Sequence, residues 1–505
     1  MPVDNIHPLY AKFLSSWEKV RIAIEGEDAI KAAGIKFLPK LGGQDETEYL
    51  SYKNRAMYYS ASSRTVMGLS GAVMRKPPSI SFPKAKEEML KSISRSNKSI
   101  EAMLKDTTDE VISIGRIGHL VDAEARKKGK GVESSVPYIV PYFAENIINW
   151  EVGTVKGRRV PVLIVLRETV SERTADDIFE LKEELQFRVL LLMNLPDEEE
   201  PTYVQQIWVK APADSKEKWI LDKTILPRLS GGRVLHEIPF QFTNSEDTDP
   251  NPSKSPLIDL VNVNISHYRN SADLEHGRHF TALPTAWASG FAIKGNKRLK
   301  IGSAEAWVTE NPGAKAGFLE FTGAGLGHLQ EGMVSKERLM AVLGARLLEE
   351  KTAGVEAAET VRLRHSGEQS SLSNISLSVG NSFTRLLQWI VDWTGGDPKD
   401  VNVEMNSDFN LIGIDPQTLA ALMAAVQGGL LSWNTWFYNV RRGELIPEGI
   451  TVEDEAALIA VGIPERPPTV AEEEETKKEE EKEEEEDEEK EENEEEGEEE
   501  EEGKE

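Results

Sequence analysis

His276 and His279 lie three residues apart in Glu275-His276-Gly277-Arg278-His279. On a helix they would share a face, and imidazole is a common metal ligand. A zinc hydrolase needs its two histidines four apart around a general-base glutamate, plus a third ligand. That spacing is absent, so the pair reads as polar residues capping a helix end. Gly323-Ala324-Gly325-Leu326-Gly327 looks at first like a dinucleotide-binding loop. Its third glycine falls one position early, His328 occupies the required place, and no βαβ unit follows. Gly68-Leu69-Ser70-Gly71 is not a nucleophile elbow, because it lies inside a helical pattern where tight helix packing is the plainer reading. No phosphate-binding Walker sequence occurs. The absence of cysteine excludes a thiol nucleophile, a disulfide framework and a Cys-based zinc site. The chain is therefore expected to be no enzyme and to carry no cofactor or metal.

Charge points elsewhere. The 505 residues include 87 Asp+Glu and 59 Lys+Arg, a net charge of −28. Residues 471–505 hold 25 acidic and 5 basic residues, so the tail carries −20 and the body only −8. A near-balanced body excludes wrapping of nucleic acid by bulk positive charge and leaves local patches open. Two such patches stand out: Lys294, Lys297, Arg298 and Lys300, and the pair Arg362 and Arg364. Each can meet phosphates or simply be a solvated loop. The tail has no aromatic and no apolar period, cannot bury enough surface to offset its ordering entropy, and is expected to be disordered. No basic-then-apolar signal segment opens the chain, and no apolar run approaches the ~18 residues that span a membrane.

The elements that must position these groups follow from periodicity. Asp45–Met74 reads as one helix ended by Pro77 and Pro78, and residues 85–114 as a second helical region. From Ile117 to Leu221 the period changes to seven short β-branched and aromatic runs, an antiparallel sheet, so the first ~245 residues form an α+β lobe. Ser255-Pro256 opens a long helix to about His279, with Ser255 as N-cap and Asp259 in its first turn. Its apolar side is partial, so it reads as a strut. A compact β-rich insertion occupies 282–328, and helix returns over Met333–Lys351. A small-residue loop, Thr352–Thr360, precedes a long helix ending at Trp393, whose apolar face is Ile375, Val379, Phe383, Leu386, Leu387 and Ile390. Val401–Phe409 alternates like a strand. Three short helices then follow, opened by Asp415-Pro416, by Ser432, and by Thr451 with Asp454 as a capping box.

That order, with the segments Tyr52–Pro78 (YKNRAMYYSASSRTVMGLSGAVMRKPP), Tyr142–Trp150 (YFAENIINW), Ser255–Pro284 (SPLIDLVNVNISHYRNSADLEHGRHFTALP) and Glu359–Ile375 (ETVRLRHSGEQSSLSNI), resembles the portal proteins of tailed bacteriophages. The resemblance covers residues 45–464. It implies an α+β portal fold: a wing of helices plus antiparallel sheet (1–254 and 362–412), stem helices (255–280 and 333–351), and a small α/β clip (281–332). A tunnel loop (352–361) and a helical crown (413–464) complete it, with the acidic tail (465–505) outside the pattern. It further implies a homo-oligomeric ring, usually a dodecamer, at one capsid vertex of the virion, built in the host cytoplasm. Double-stranded DNA would be packaged and ejected through it. The implied partners are the terminase large subunit, the major capsid or scaffold protein and the head-to-tail adaptor, with no membrane. The tunnel-loop residues Thr352, Ala353, Gly354, Val355, Glu356, Ala357, Ala358, Glu359 and Thr360 would face DNA, and the six basic residues above could join them. A rival reading is an acidic-tailed chaperone that binds basic proteins.

Overall fold

The computed structural model describes residues 2–123, 136–173, 177, 179–196, 198–212, 214–283, 285–291, 307–319, 323–345, 371–407, 409, 416–442, 445–446 and 450–461. It is α+β, with every strand pair antiparallel. The chain divides into one unit over Met1–Phe409 and a second over Asn410–Glu505.

The first unit opens with two helices that no sequence pattern above anticipates, α1 (Pro8–Glu25) and α2 (Glu27–Ala33). His7 caps α1 by accepting from the Leu9 amide, Pro8 sits at its first turn, and Gly26, at φ 103°, ends it. Tyr10, Trp17, Val20 and Ala23 form the buried stripe. The helix expected over Asp45–Met74 is two, α3 (Glu46–Arg55) and α4 (Ala61–Val73). The break is stabilised from a distance. Met57 N–H donates to Ser271 Oγ, Tyr59 C=O accepts from Asn264 Nδ2, and Ser62 N–H donates to Asn264 Oδ1. Tertiary partners thus take backbone groups that a continuous helix would have used.

The region 85–114 also divides. Lys84–Ser92 is 3-10 helix, and α5 (Ile100–Ser113) begins after a turn in which Ile93 N–H donates to Lys98 C=O. Ile93 C=O in turn accepts from Ile139 N–H of a neighbouring strand.

The strands are β1 (Ser79–Ser81), β2 (Arg116–Ala123), β3 (Pro137–Phe143), β4 (Ile147–Val155), β5 (Arg158–Arg173), β6 (Leu181–Met193), β7 (Thr202–Lys210), β8 (Trp219–Ile225) and β9 (Phe240–Asn244). Seven match the runs read from sequence, and β1 and β9 are additional. They make a three-stranded sheet, β3-β2-β9, and a five-stranded meander from β4 to β8. Most of β2 is buried, and Gly118 on it admits no side chain: a Cβ would fall 2.2 Å from Phe240 Cζ.

The long helix α6 (Ile258–Ala282) starts two residues later than the Ser255 cap predicts, with Leu257 in the cap position. Ser255 Oγ instead donates to Ser113 C=O at 2.5 Å. Nor is α6 mainly a strut. Leu257, Ile258, Val261, Ile265, Tyr268 and Ala272 belong to the principal core. After α6 come β10 (Thr285–Ser289), β11 (Lys315–Leu319) and α7 (Leu326–Ala345). Helix α8 (Ser371–Trp393) buries all six residues of its expected apolar face. Gly395, at φ 76°, follows its end. The strand expected over Val401–Phe409 shrinks to β12 (Asn402–Glu404), paired with β1. Ser376 and Ser373 of α8 donate to the carbonyls of Asn406 and Ser407, which ends the ladder.

The second unit holds α9 (Pro416–Gln427), α10 (Trp433–Arg442) and α11 (Val452–Val461). Ser432 Oγ accepts from Thr435 N–H. Thr451 and Asp454 exchange the two bonds of a capping box at 3.0 and 3.1 Å.

Candidate functional site

The site that emerges is a helical hairpin with a two-stranded ribbon between its arms. Helices α6 and α7 run antiparallel. Leu260 and Val263 pack with Met340 and Leu343, Ser266 C=O accepts from Lys336 Nζ at 3.3 Å, and His267 Nε2 lies 3.1 Å from Glu337 Oε1. Further along, Arg278 and Gln330 are 3.5 Å apart. Glycines keep the seam narrow. A Cβ on Gly277 would meet Leu326 Cδ2 at 2.5 Å, and one on Gly344 would meet Leu260 of α6 at 3.8 Å and Thr65 of α4 at 3.2 Å.

Between the arms, β10 and β11 pair from Thr285/Leu319 to Ser289/Lys315. Trp287 lies across Gly317, where a side chain would press on its indole at 3.2 Å. Gly290, at φ 79°, turns the chain away, and its carbonyl accepts from Asn311 Nδ2.

Among the described residues, only one side of α7 is covered. Leu329, Gly332, Lys336, Met340 and Leu343 are buried or half-buried, whereas Val334, Leu339 and Val342 are 40%, 45% and 46% exposed. The same holds outward from the seam, where Phe280, Leu283, Trp287, Phe318 and Leu319 are all exposed. Clustered apolar exposure of this kind marks an interaction surface, whereas scattered single residues do not. Burying the three α7 side chains would contribute on the order of 1 kcal/mol each. The sequence reading did not identify these residues. The available signal was that α7 carries apolar residues beyond the single stripe one seam requires.

The residues proposed from sequence to face DNA all lie outside the described residues: Thr352, Ala353, Gly354, Val355, Glu356, Ala357, Ala358, Glu359 and Thr360, the cluster Lys294, Lys297, Arg298 and Lys300, and Arg362 with Arg364. So does the acidic tail. The histidine pair is described. His276 packs edge-on to Tyr52 at 5.2 Å and to Phe280 at 4.7 Å, and burial pushes its pKa down. Among the described residues no group of three or more His, Asp or Glu could hold a metal ion. Gly323 sits before the first turn of α7, its carbonyl accepting from Leu326 N–H. Gly68 and Gly71 lie in α4, but nothing stands within 4 Å of a Cβ on either, so tight packing does not explain them. No described helix is long and apolar enough to cross a membrane.

Buried charge lies away from this hairpin. Arg21 bridges Glu110 at 2.6 Å and Glu145 at 2.7 Å, and burial raises the pKa of Glu110. Arg188 joins Glu168 and Gln205, and Glu168 also accepts from Tyr142 and Gln186. These groups satisfy one another and tie β2 and β3 to the meander.

Residues 256–394, from the start of α6 through the end of α8, match a family described as a domain of unknown function, DUF4055. No curated protein matches the chain. Among solved structures, the chain is similar to one from the virion of a native gene transfer agent (GTA) particle, at 12% identity and TM-score 0.35, covering 80% of this chain and 96% of that one. It is also similar to a chain from the neck of an empty GTA particle computed with C6 symmetry, at 12% identity and TM-score 0.36, covering 81% and 95%. A third, from the neck of a native GTA particle computed with C12 symmetry, gives 12% and 0.33, covering 74% and 88%. Likeness at this level is too low to carry a functional argument.

Proposed function

We propose that this chain is the subunit of a portal ring, a DNA-conducting assembly at one vertex of a phage-like capsid with no catalytic role. The observation that carries the reading is the α6–α7 hairpin, narrow at its glycine-lined seam and uncovered on its outer apolar side. Closed rings form from heterologous contacts, in which one side of a subunit meets a different side of the next. A helix pair with one finished face and one unfinished face supplies such a contact. The resemblance stated from sequence supplies the rest: the hairpin would be the stem, and β10 with β11 part of the clip that docks terminase and the head-to-tail adaptor.

Charge supports the same reading. A conduit must not grip its cargo, because each phosphate neutralised by a cation adds affinity through counterion release. A body of net −8 suits sliding, and sparse basic residues repeated by symmetry would guide DNA without holding it. Negative-stain microscopy with mass photometry of the full chain tests the proposal. Rings of about twelve subunits with a central channel are expected. A monomer at every concentration and salt would sink it.

A further inference from the structure

Residues 2–7, ahead of α1, are held to the rest of the first unit by few groups. Strand β4 is an edge strand of the meander and pairs in it with β5 alone. The segment adds two bonds to it. His7 N–H donates to Ile148 C=O at 2.9 Å, and Asn149 Nδ2 donates to Asn5 C=O at 3.2 Å. Asp4 pairs with Lys218, just ahead of β8. Val3 packs on the principal core, whereas Ile6 is 50% exposed. A segment tied by so few contacts opens at low free-energy cost.

The attachment turns on His7. Its Nδ1 accepts from the Leu9 amide at 3.1 Å, which caps α1 and requires an unprotonated Nδ1. Its ring stacks on Trp150 of β4, with centroids 4.0 Å apart and planes 23° from parallel. The buried Arg116 guanidinium lies 4.1 Å from the same indole. An imidazolium here would set N–H against N–H at the cap and bring a second cation to a ring that already carries one. Burial, and then the Arg116 charge, push the His7 pKa down. Carboxylates on the surrounding elements are engaged elsewhere: Asp4 with Lys218, Glu145 with Arg21, and Asp249 with the Arg116 charge.

We propose that residues 2–7 form an acid-released strap: a proton taken from solvent at His7 Nδ1 breaks the α1 cap and frees the segment from the edge strand β4. The device stands apart from the ring reading and is complete within one copy. A histidine on the freed segment titrates near 6.5 and the docked one lower, so the released state binds the extra proton in between. Attachment is therefore complete above about pH 6.5. It weakens as pH falls, by up to about tenfold per unit, until the docked pKa is reached.

Hydrogen exchange of the full chain tests this, read by mass spectrometry at about pH 7.5 and about pH 5.5 and corrected for the intrinsic rate at each. In the parent, peptides covering residues 2–12 should lose protection severalfold, up to about tenfold, at the lower pH, while those of α8 keep theirs. His7→Asn retains a cap acceptor that does not titrate, so its protection should agree at the two values within about twofold. His7→Ala removes both cap and stack and should be open at both. Equal protection of the parent segment at the two pH values overturns the proposal. So does a His7→Asn segment that loosens as the parent's does, which would assign the effect to Asp4 or to the unit at large. Loss of protection in α8 in step with the segment, or a His7→Ala segment as protected as the parent's at the upper pH, overturns it equally.

Discussion

Arg21 shows at single-residue scale how a buried charge is made tolerable. Its guanidinium holds Glu110, nearly buried, and Glu145 together. Removing it in Arg21→Met leaves a carboxylate without its partner, which should cost about 3 kcal/mol in urea unfolding. The double variant Arg21→Met/Glu110→Gln should recover most of that, and a failure to recover would assign the loss to packing. His119 is the second case. It is fully buried beside Thr107, and burial pushes its pKa down to about 3. An unfolded histidine titrates near 6.5, so between about pH 6.5 and 3 the unfolded chain binds the extra proton. The neutral form's contribution is therefore complete above pH 6.5 and is lost as pH falls. The difference in stability between the parent and His119→Gln should change by up to about 1.4 kcal/mol per pH unit in that window, and stay flat above pH 7. Neither Glu110 nor His119 was legible as buried in the sequence, because charge and ring type do not report which neighbours a fold brings within reach. Arg116 makes the same point: its guanidinium lies 4.1 Å from the Trp150 ring and 4.9 Å from Phe242, a contact with partners far away in the chain.

At the scale of elements, strands and caps were the legible part. The seven runs from β2 to β8 announce themselves by alternation and turn residues, and the Thr451–Asp454 box by its spacing. Helix breaks were not legible. The segment between α3 and α4 reads as helix because apolar residues at three- and four-residue spacing run on either side of it, and Asn264 and Ser271, two hundred residues on, decide otherwise. Gly118 tests the packing this produces. Gly118→Ala should cost at least about 1–3 kcal/mol by overpacking against Phe240 and Ile147, measured as a fall in the urea midpoint at unchanged slope. The exposed side of α7 behaves oppositely. Leu339→Glu with Val342→Glu should leave the monomer's stability within about 0.5 kcal/mol and prevent assembly in mass photometry. Loss of monomer stability instead would mean that these side chains pack within the chain.

For the whole molecule, the division of charge is the strongest statement. Removing residues 471–505 takes the net charge from −28 to −8. In the portal reading the truncated chain still assembles rings, and its assembly depends less on salt, because repulsion between tails no longer opposes closure. A truncated chain that loses its quaternary structure would make the tail an assembly element and favour the chaperone-like rival.

The sequence by itself determined composition-level and periodic facts: an acidic appendage on a near-balanced body, a cysteine-free chain, seven strand runs read as one antiparallel sheet where the structure makes two, and helices whose apolar faces repeat every three or four residues. Those properties are local, and local patterns survive in one dimension. Only the tertiary structure decided where α3 ends, that Ser255 bonds Ser113 instead of capping α6, that α6 gives five side chains to the principal core, and that α7 keeps an unfinished apolar side. Each depends on residues distant in sequence competing for the same backbone groups or the same buried volume, and that competition is resolved only in three dimensions.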